Sequence, residues 1–125
     1  MKATFKAIHP VLGARDVPLA VAWYVERLGF SLMFNDATDP IRYAGIRRDA
    51  VELHLQWQEE RYFPAPGEDS PAYRFHVDDP DALFAEYQRA GALHATANLR
   101  DTPWHTREFG LYDLNGHALS FYRAL

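Results

Sequence analysis

The feature that most constrains this chain is an order of segments that occurs twice. An extended stretch, "TFKAIHPVL", comes first. It leads into "DVPLAVAWYVERLG", where Asp16 is placed to cap a helix and Pro18 sits in its first turn. Val17, Val21, Tyr24 and Leu28 recur at helical spacing, and Gly29 follows as a stop. Three strand-like runs come next: "FSLMFND", "IRYAGIR" and "VELHLQW". The segment "QEERYFPAPGEDSP" then breaks all periodicity and reads as a linker. After it the order restarts. "AYRFHV" is a strand, and "DDPDALFAEYQRAG" is a helix with Asp79 as its cap, Pro80 at its first position and Gly91 as its stop. "ALHATANL", "TREFGLYD" and "HALSFYR" are strands, the last two joined through "LNG", a strong hairpin signal. The expected order is therefore β-α-β-β-β twice: module one over 1–57, linker over 58–71, module two over 72–125. It is a repeat of order, not of sequence.

A chain of 125 residues, 48% hydrophobic, suits one compact domain with a real core. It has no cysteine, which excludes disulfides, zinc fingers and thiol chemistry. Lys2 and Lys6 lead into a stretch too short and interrupted for a signal peptide, and no apolar run approaches the roughly 20 residues of a membrane span. A cytoplasmic protein with no membrane partner is expected. The net charge is −4 and no basic cluster occurs, which argues against a nucleic-acid partner. No serine sits in a G-x-S-x-G elbow, and no glycine-rich phosphate loop occurs.

The strand "VELHLQW" carries the first chemistry. Alternation places Val51, Leu53, Leu55 and Trp57 on one face and Glu52, His54 and Gln56 on the other. A carboxylate and an imidazole side by side are half of a metal site, a polar pocket wall, or a solvated sheet surface.

The paired order, together with "ARDVPLAVAWYVERLGF" and "PWHTREFGLYDLNGHALSFY", resembles the vicinal-oxygen-chelate superfamily, nearest its glyoxalase/bleomycin-resistance-protein group. The resemblance covers nearly the whole chain. It implies an α+β fold in which two βαβββ modules form curved mixed sheets. The group includes metal-dependent lyases, isomerases and dioxygenases, and also metal-free proteins that sequester antibiotics, often as homodimers with pockets between subunits.

The resemblance also implies where metal ligands would stand. His9, seven residues before Asp16, falls at the first position and Glu52 at the second. The third falls at Ala72 or Tyr73, and the fourth at Ser120, four residues after Gly116. Two suitable ligands are short of the three a catalytic metal generally needs. The expectation is thus a metal-free protein without a cofactor that sequesters a cationic, amphipathic, antibiotic-type molecule as a homodimer. A metal-dependent lyase, isomerase or dioxygenase using His9 and Glu52 with a divalent ion is the alternative. A dimeric domain with a vestigial pocket is a third reading.

Trp104, in the loop-like "RDTPWHT", is either an aromatic lid over a ligand or a cap on the core. Arg107 either meets an anionic ligand group or makes a structural salt bridge. Trp57 lies where the modules meet and either packs there or borders the pocket. The expected ligand-binding set is Trp104, Glu52, His54, His9, Arg107, Trp57, Tyr73, Ser120 and Phe34. Arg47 and Arg48 read as a solvated hairpin tip.

Overall fold

A computed structural model describes residues 1–65 and 71–125. Residues 66–70 of the expected linker lie outside the described residues. Module one contains β1 (Val11–Ala14), α1 (Val17–Leu28), β2 (Ser31–Asn35), β3 (Tyr43–Arg48) and β4 (Val51–Trp57). A 3-10 turn at Glu60–Tyr62 follows. Module two contains β5 (Ala72–His76), α2 (Pro80–Arg89), β6 (Arg100–Asp101), β7 (Thr106–Tyr112) and β8 (Ala118–Ala124). Each module makes one mixed four-stranded sheet. The orders are β1-β4-β3-β2 and β5-β8-β7-β6, so the second repeats the first. The outer strand after each helix runs antiparallel to its neighbour, while β1 and β5 pair in parallel with β4 and β8. This is the α+β architecture of two βαβββ modules.

The helices form where the sequence supplies both ends. The Asp16 carboxylate accepts from the Leu19 amide at 3.0 Å, and that of Asp79 from Ala82 at 3.0 Å. Gly29 ends α1 with φ 77°, a left-handed conformation that glycine adopts without penalty. Val17, Ala20, Tyr24 and Leu28 make the buried stripe of α1. Under it lie Leu12, Ile46, Leu53 and Leu55 of the first sheet. Under α2, the rings of Phe109 and Phe121 stack at 5.2 Å and Phe75 stacks on Phe121 at 4.9 Å. Each sheet therefore has one face against its helix and one face without a helix.

The modules grip each other through matching contacts. Tyr24 of α1 bonds Asp113 in the β7–β8 turn. Arg48, at the β3–β4 turn, makes a two-pronged ion pair with Glu86 of α2, at 2.6 and 2.9 Å, and donates to the Leu28 carbonyl at 2.8 Å. Arg48 is therefore not the solvated tip that its hairpin position suggests. Its guanidinium also passes so close to Gly29 that any side chain there would collide with it. On the other side, Arg15 bonds Glu60 and the backbone amide of Arg15 donates to the Asn115 side chain at 3.1 Å.

Two segments differ from the sequence reading. "ALHATANL" is not a strand. Only Arg100–Asp101 pairs with β7, and the His94 imidazole instead accepts from the Tyr112 amide at 3.1 Å. Of the expected first strand, only Val11–Ala14 joins the sheet. Residues 1–9 lie outside the sheet and are exposed, with Phe5 99% and Ile8 92% accessible.

Candidate functional site

Two polar clusters form on the helix-free faces, one in each module. In module one, the pleat of β4 turns Leu53 and Leu55 into the core and Glu52 and His54 outward. His54 Nε2 lies 2.7 Å from Glu52 Oε2, and His9 Nε2 lies 3.5 Å from the same oxygen. The two imidazoles are 5.1 Å apart and tilted by 30°. The Tyr43 hydroxyl, on β3, sits 2.6 Å from His54 Nδ1. Phe34 from β2 approaches the His54 ring edge-on at 5.3 Å. It has room because its cross-strand partner is Gly45, whose missing side chain would stand 2.1 Å from the Phe34 ring. The His54 hydrogen bond holds the Glu52 carboxyl below its usual range. Desolvation opposes this, and the charges of His9, His54 and Arg47 reinforce it.

In module two, the same logic of alternation places Thr106, Glu108, Gly110 and Tyr112 on the helix-free face of β7. Glu108 is only 6% exposed. Its Oε2 accepts from Arg74 Nη2 at 3.0 Å and from Thr106 Oγ1 at 2.7 Å. Arg74 also donates to Ser120 Oγ at 3.1 Å and lies over the Tyr122 ring at 4.4 Å. Burial pushes the Glu108 carboxyl up, but bonds from Arg74, Thr106 and the Trp104 indole outweigh it and hold the group ionised. A cleft of about 410 Å³ opens here, lined by Arg74, His94, Glu108, Tyr112 and Ser120 among others. A larger cavity of about 490 Å³ lies at the module junction, around Phe30, Phe75, Arg48 and Glu86. Its Arg48–Glu86 pair is internally satisfied and binds the modules together, so the clusters on the two sheet faces are the better candidates.

The sequence-derived set thus divides. His9, Glu52, His54 and Phe34 come together in module one. Ser120 and Trp104 border the cluster in module two. Trp104 is 55% exposed and so is not a core cap; one edge reaches Glu108 while Arg100 lies 5.7 Å from its ring. Three residues face elsewhere. Tyr73 pairs in register with buried Leu119 and meets His117 edge-on, on the face opposite Ser120. Arg107 is committed to Asp81 and Asp101, at 2.8 and 3.0 Å, which is the structural salt bridge. Trp57 belongs to the Leu53–Leu55 face and lies under Arg42 at 4.6 Å. Tyr43, Gly45, Arg74 and Glu108 were missed. Alternation in "TREFGLY" and "AYRFHV" carried a signal for the last two, since it separates Glu108 from Arg107 and Arg74 from Tyr73.

The four metal positions that the resemblance implies can be tested against this geometry. His9 and Glu52 converge as that arrangement requires. In module two, Ser120 offers a neutral hydroxyl bonded to the Arg74 guanidinium, its partner in register. A fixed positive charge beside the fourth position, Ala72 without a donor atom and Tyr73 turned to the other face do not fit a cation held from both modules.

The family model of the Glyoxalase/Bleomycin resistance protein/Dioxygenase superfamily matches residues 6–121, and the chain belongs to that superfamily. A bleomycin resistance protein of Geobacillus stearothermophilus is 23% identical over 129 residues, covering 93% of this chain and 95% of that protein. Among solved structures, TioX from Micromonospora sp. ML1 is 31% identical and superimposes with a TM-score of 0.75, covering 95% of this chain and 100% of that one. The bleomycin-binding protein from bleomycin-producing Streptomyces verticillus, complexed with copper(II)-bleomycin, is also 31% identical, with a TM-score of 0.75 and coverage of 96% and 97%.

Proposed function

We propose that this member of the glyoxalase/bleomycin resistance superfamily binds and sequesters an amphipathic, cationic, antibiotic-type small molecule, making and breaking no bonds. The observation that carries this reading is the make-up of the two helix-free faces. Module one sets the exposed ring of Phe34 beside the ionised Glu52, and module two exposes Trp104 and Tyr112 near the Arg74–Glu108 ion pair. Aromatic faces take up planar apolar groups, and the Glu52 carboxylate favours positive charge. The Geobacillus and Streptomyces relatives support the ligand class.

The working form is a homodimer. Exposed apolar patches of this kind mark interaction surfaces. Phe5, Ile8 and the exposed side chains of β2 give a second copy something to cover. Pairing two copies would also bring a further wall to each open face. Among the described residues no helix is long and apolar enough to cross a membrane. Sequestration in the cytoplasm, ahead of an intracellular target, suits this reading. It needs no cofactor, because stacking and charge pairing suffice.

The test is a calorimetric titration of the untagged protein with metal-free bleomycin and with copper(II)-bleomycin. Saturable binding at micromolar concentration or tighter supports the reading. Absence of heat up to about millimolar ligand opposes it.

A further inference from the structure

We propose that His9, Glu52 and His54 form a binding site for one divalent transition-metal ion of the zinc class, built entirely within module one. The two-module arrangement fails at Arg74 and Ser120. His54 makes up the deficit from the same strand that carries Glu52.

Each of the three residues offers one donor atom, and all three donors lie within 4.8 Å of one another. Zinc takes imidazole nitrogen and carboxylate oxygen at roughly 2.0–2.2 Å, so two ligands of one ion stand about 3–3.5 Å apart. The spacings of 2.7 and 3.5 Å to Glu52 Oε2 bracket that range. Small side-chain movements would seat an ion. Two imidazoles and one carboxylate select zinc, iron, cobalt or nickel over magnesium or calcium, which require more oxygen ligands. Among the described residues no other three His, Asp or Glu side chains converge this closely.

Support around the donors is already in place. Tyr43 holds the far nitrogen of His54 at 2.6 Å. An ion would displace the Nε2 proton that bonds Glu52, and Nδ1–H would then donate to the Tyr43 oxygen, the usual role of an outer partner. Phe34 closes one side of the His54 ring. Glu52 and His54 side chains are 14% and 15% exposed, and that of His9 is 35% exposed, so an ion can enter and keep an open position. The ion would also tie His9, at the root of the exposed residues 1–9, to β4.

The experiment uses untagged full-length protein stripped with chelator and titrated with zinc(II) by calorimetry and with cobalt(II) by visible absorption. One ion per chain is expected, bound at micromolar concentration or tighter, with a rise in melting temperature. His54→Gln, which keeps a hydrogen-bonding side chain, should weaken binding by about 100-fold. Tyr43→Phe should weaken it by roughly 10-fold, as loss of an outer partner does. His105→Asn, outside the cluster, should bind as the parent does. Circular dichroism melts show that each variant is folded. Three results would overturn the proposal: no saturable binding below about millimolar metal, binding unchanged in His54→Gln, or an equal loss in His105→Asn. Bleomycin is absent throughout, so the outcome is independent of the sequestration reading.

Discussion

The buried Tyr24 hydroxyl donates a 2.6 Å hydrogen bond to Asp113 Oδ2, joining the helix of module one to the hairpin turn of module two. The other oxygen of Asp113 accepts from the Asn115 and His117 amides, each at 2.9 Å. One carboxylate therefore both shapes the "LNG" turn and anchors the opposite module. Burial first, and the Asp113 charge second, push the Tyr24 hydroxyl well above its ordinary value, so it stays a donor across the working pH range. Tyr24→Phe keeps the ring and leaves a buried carboxylate oxygen short of a partner. It should cost about 1–3 kcal/mol of stability, measured by urea denaturation.

The contact on the other side predicts a pH effect. The Arg48 hydrogen bonds hold Glu86 below its ordinary value of 4.5. A carboxyl with a lowered folded value contributes stability that is fully present above its unfolded value and is lost as pH falls through the folded one. Glu86→Gln should therefore melt below the parent at pH 7, with the gap narrowing as pH falls below the ordinary carboxyl value of 4.5. A gap that stays constant as the carboxyl titrates would show that the ion pair carries no pH-dependent stability. Glu86 is partly solvated, so the effect is modest.

Much of the fold was legible in local pattern. Asp16, Gly29 and Asp79 punctuate the helices through bonds to their own neighbours, and alternation in "VELHLQW" sorted Glu52 and His54 from Leu53 and Leu55. What stayed hidden depends on distant partners. Arg48 looks like a hairpin tip until Glu86, 38 residues on, is beside it. "ALHATANL" has strand-like composition, yet its His94 is taken up by the Tyr112 backbone instead of a ladder. The site was half legible for a similar reason. A linear register to the family's third position pointed to Ala72 or Tyr73, but the parallel pairing of β5 with β8 sets Arg74 opposite Ser120.

Trp104 offers a test of the aromatic part of the site. It is exposed without ligand, so Trp104→Ala should change stability by less than about 1 kcal/mol, near the range of surface substitutions. Ligand stacking contributes about 0.5–1.5 kcal/mol beyond area burial. Burying the ring adds roughly 1.5–3 kcal/mol. Loss of both implies at least about tenfold weaker binding of bleomycin. Melting and binding measured on one preparation check this. Tryptophan fluorescence that responds to ligand in the parent and not in the variant is the second sign, with Trp23 and Trp57 as the constant background.

Gly45 tests how Phe34 is seated. A Cβ there would stand 2.1 Å from the ring, so Gly45→Val must drive Phe34 away from Tyr43 and His54. Overpacking of this kind costs about 1–3 kcal/mol. The variant should melt lower and bind ligand more weakly than the parent, whereas Phe34→Ala should weaken binding with a smaller loss of melting temperature.

Sequestration requires that the protein hold its ligand without altering it. Equilibrium dialysis against copper(II)-bleomycin, followed by mass spectrometry of the recovered ligand, tests this most directly. Saturable retention at micromolar protein is expected, with the ligand recovered at unchanged mass. No retention, or a ligand whose mass changes in proportion to the time of contact, would contradict it.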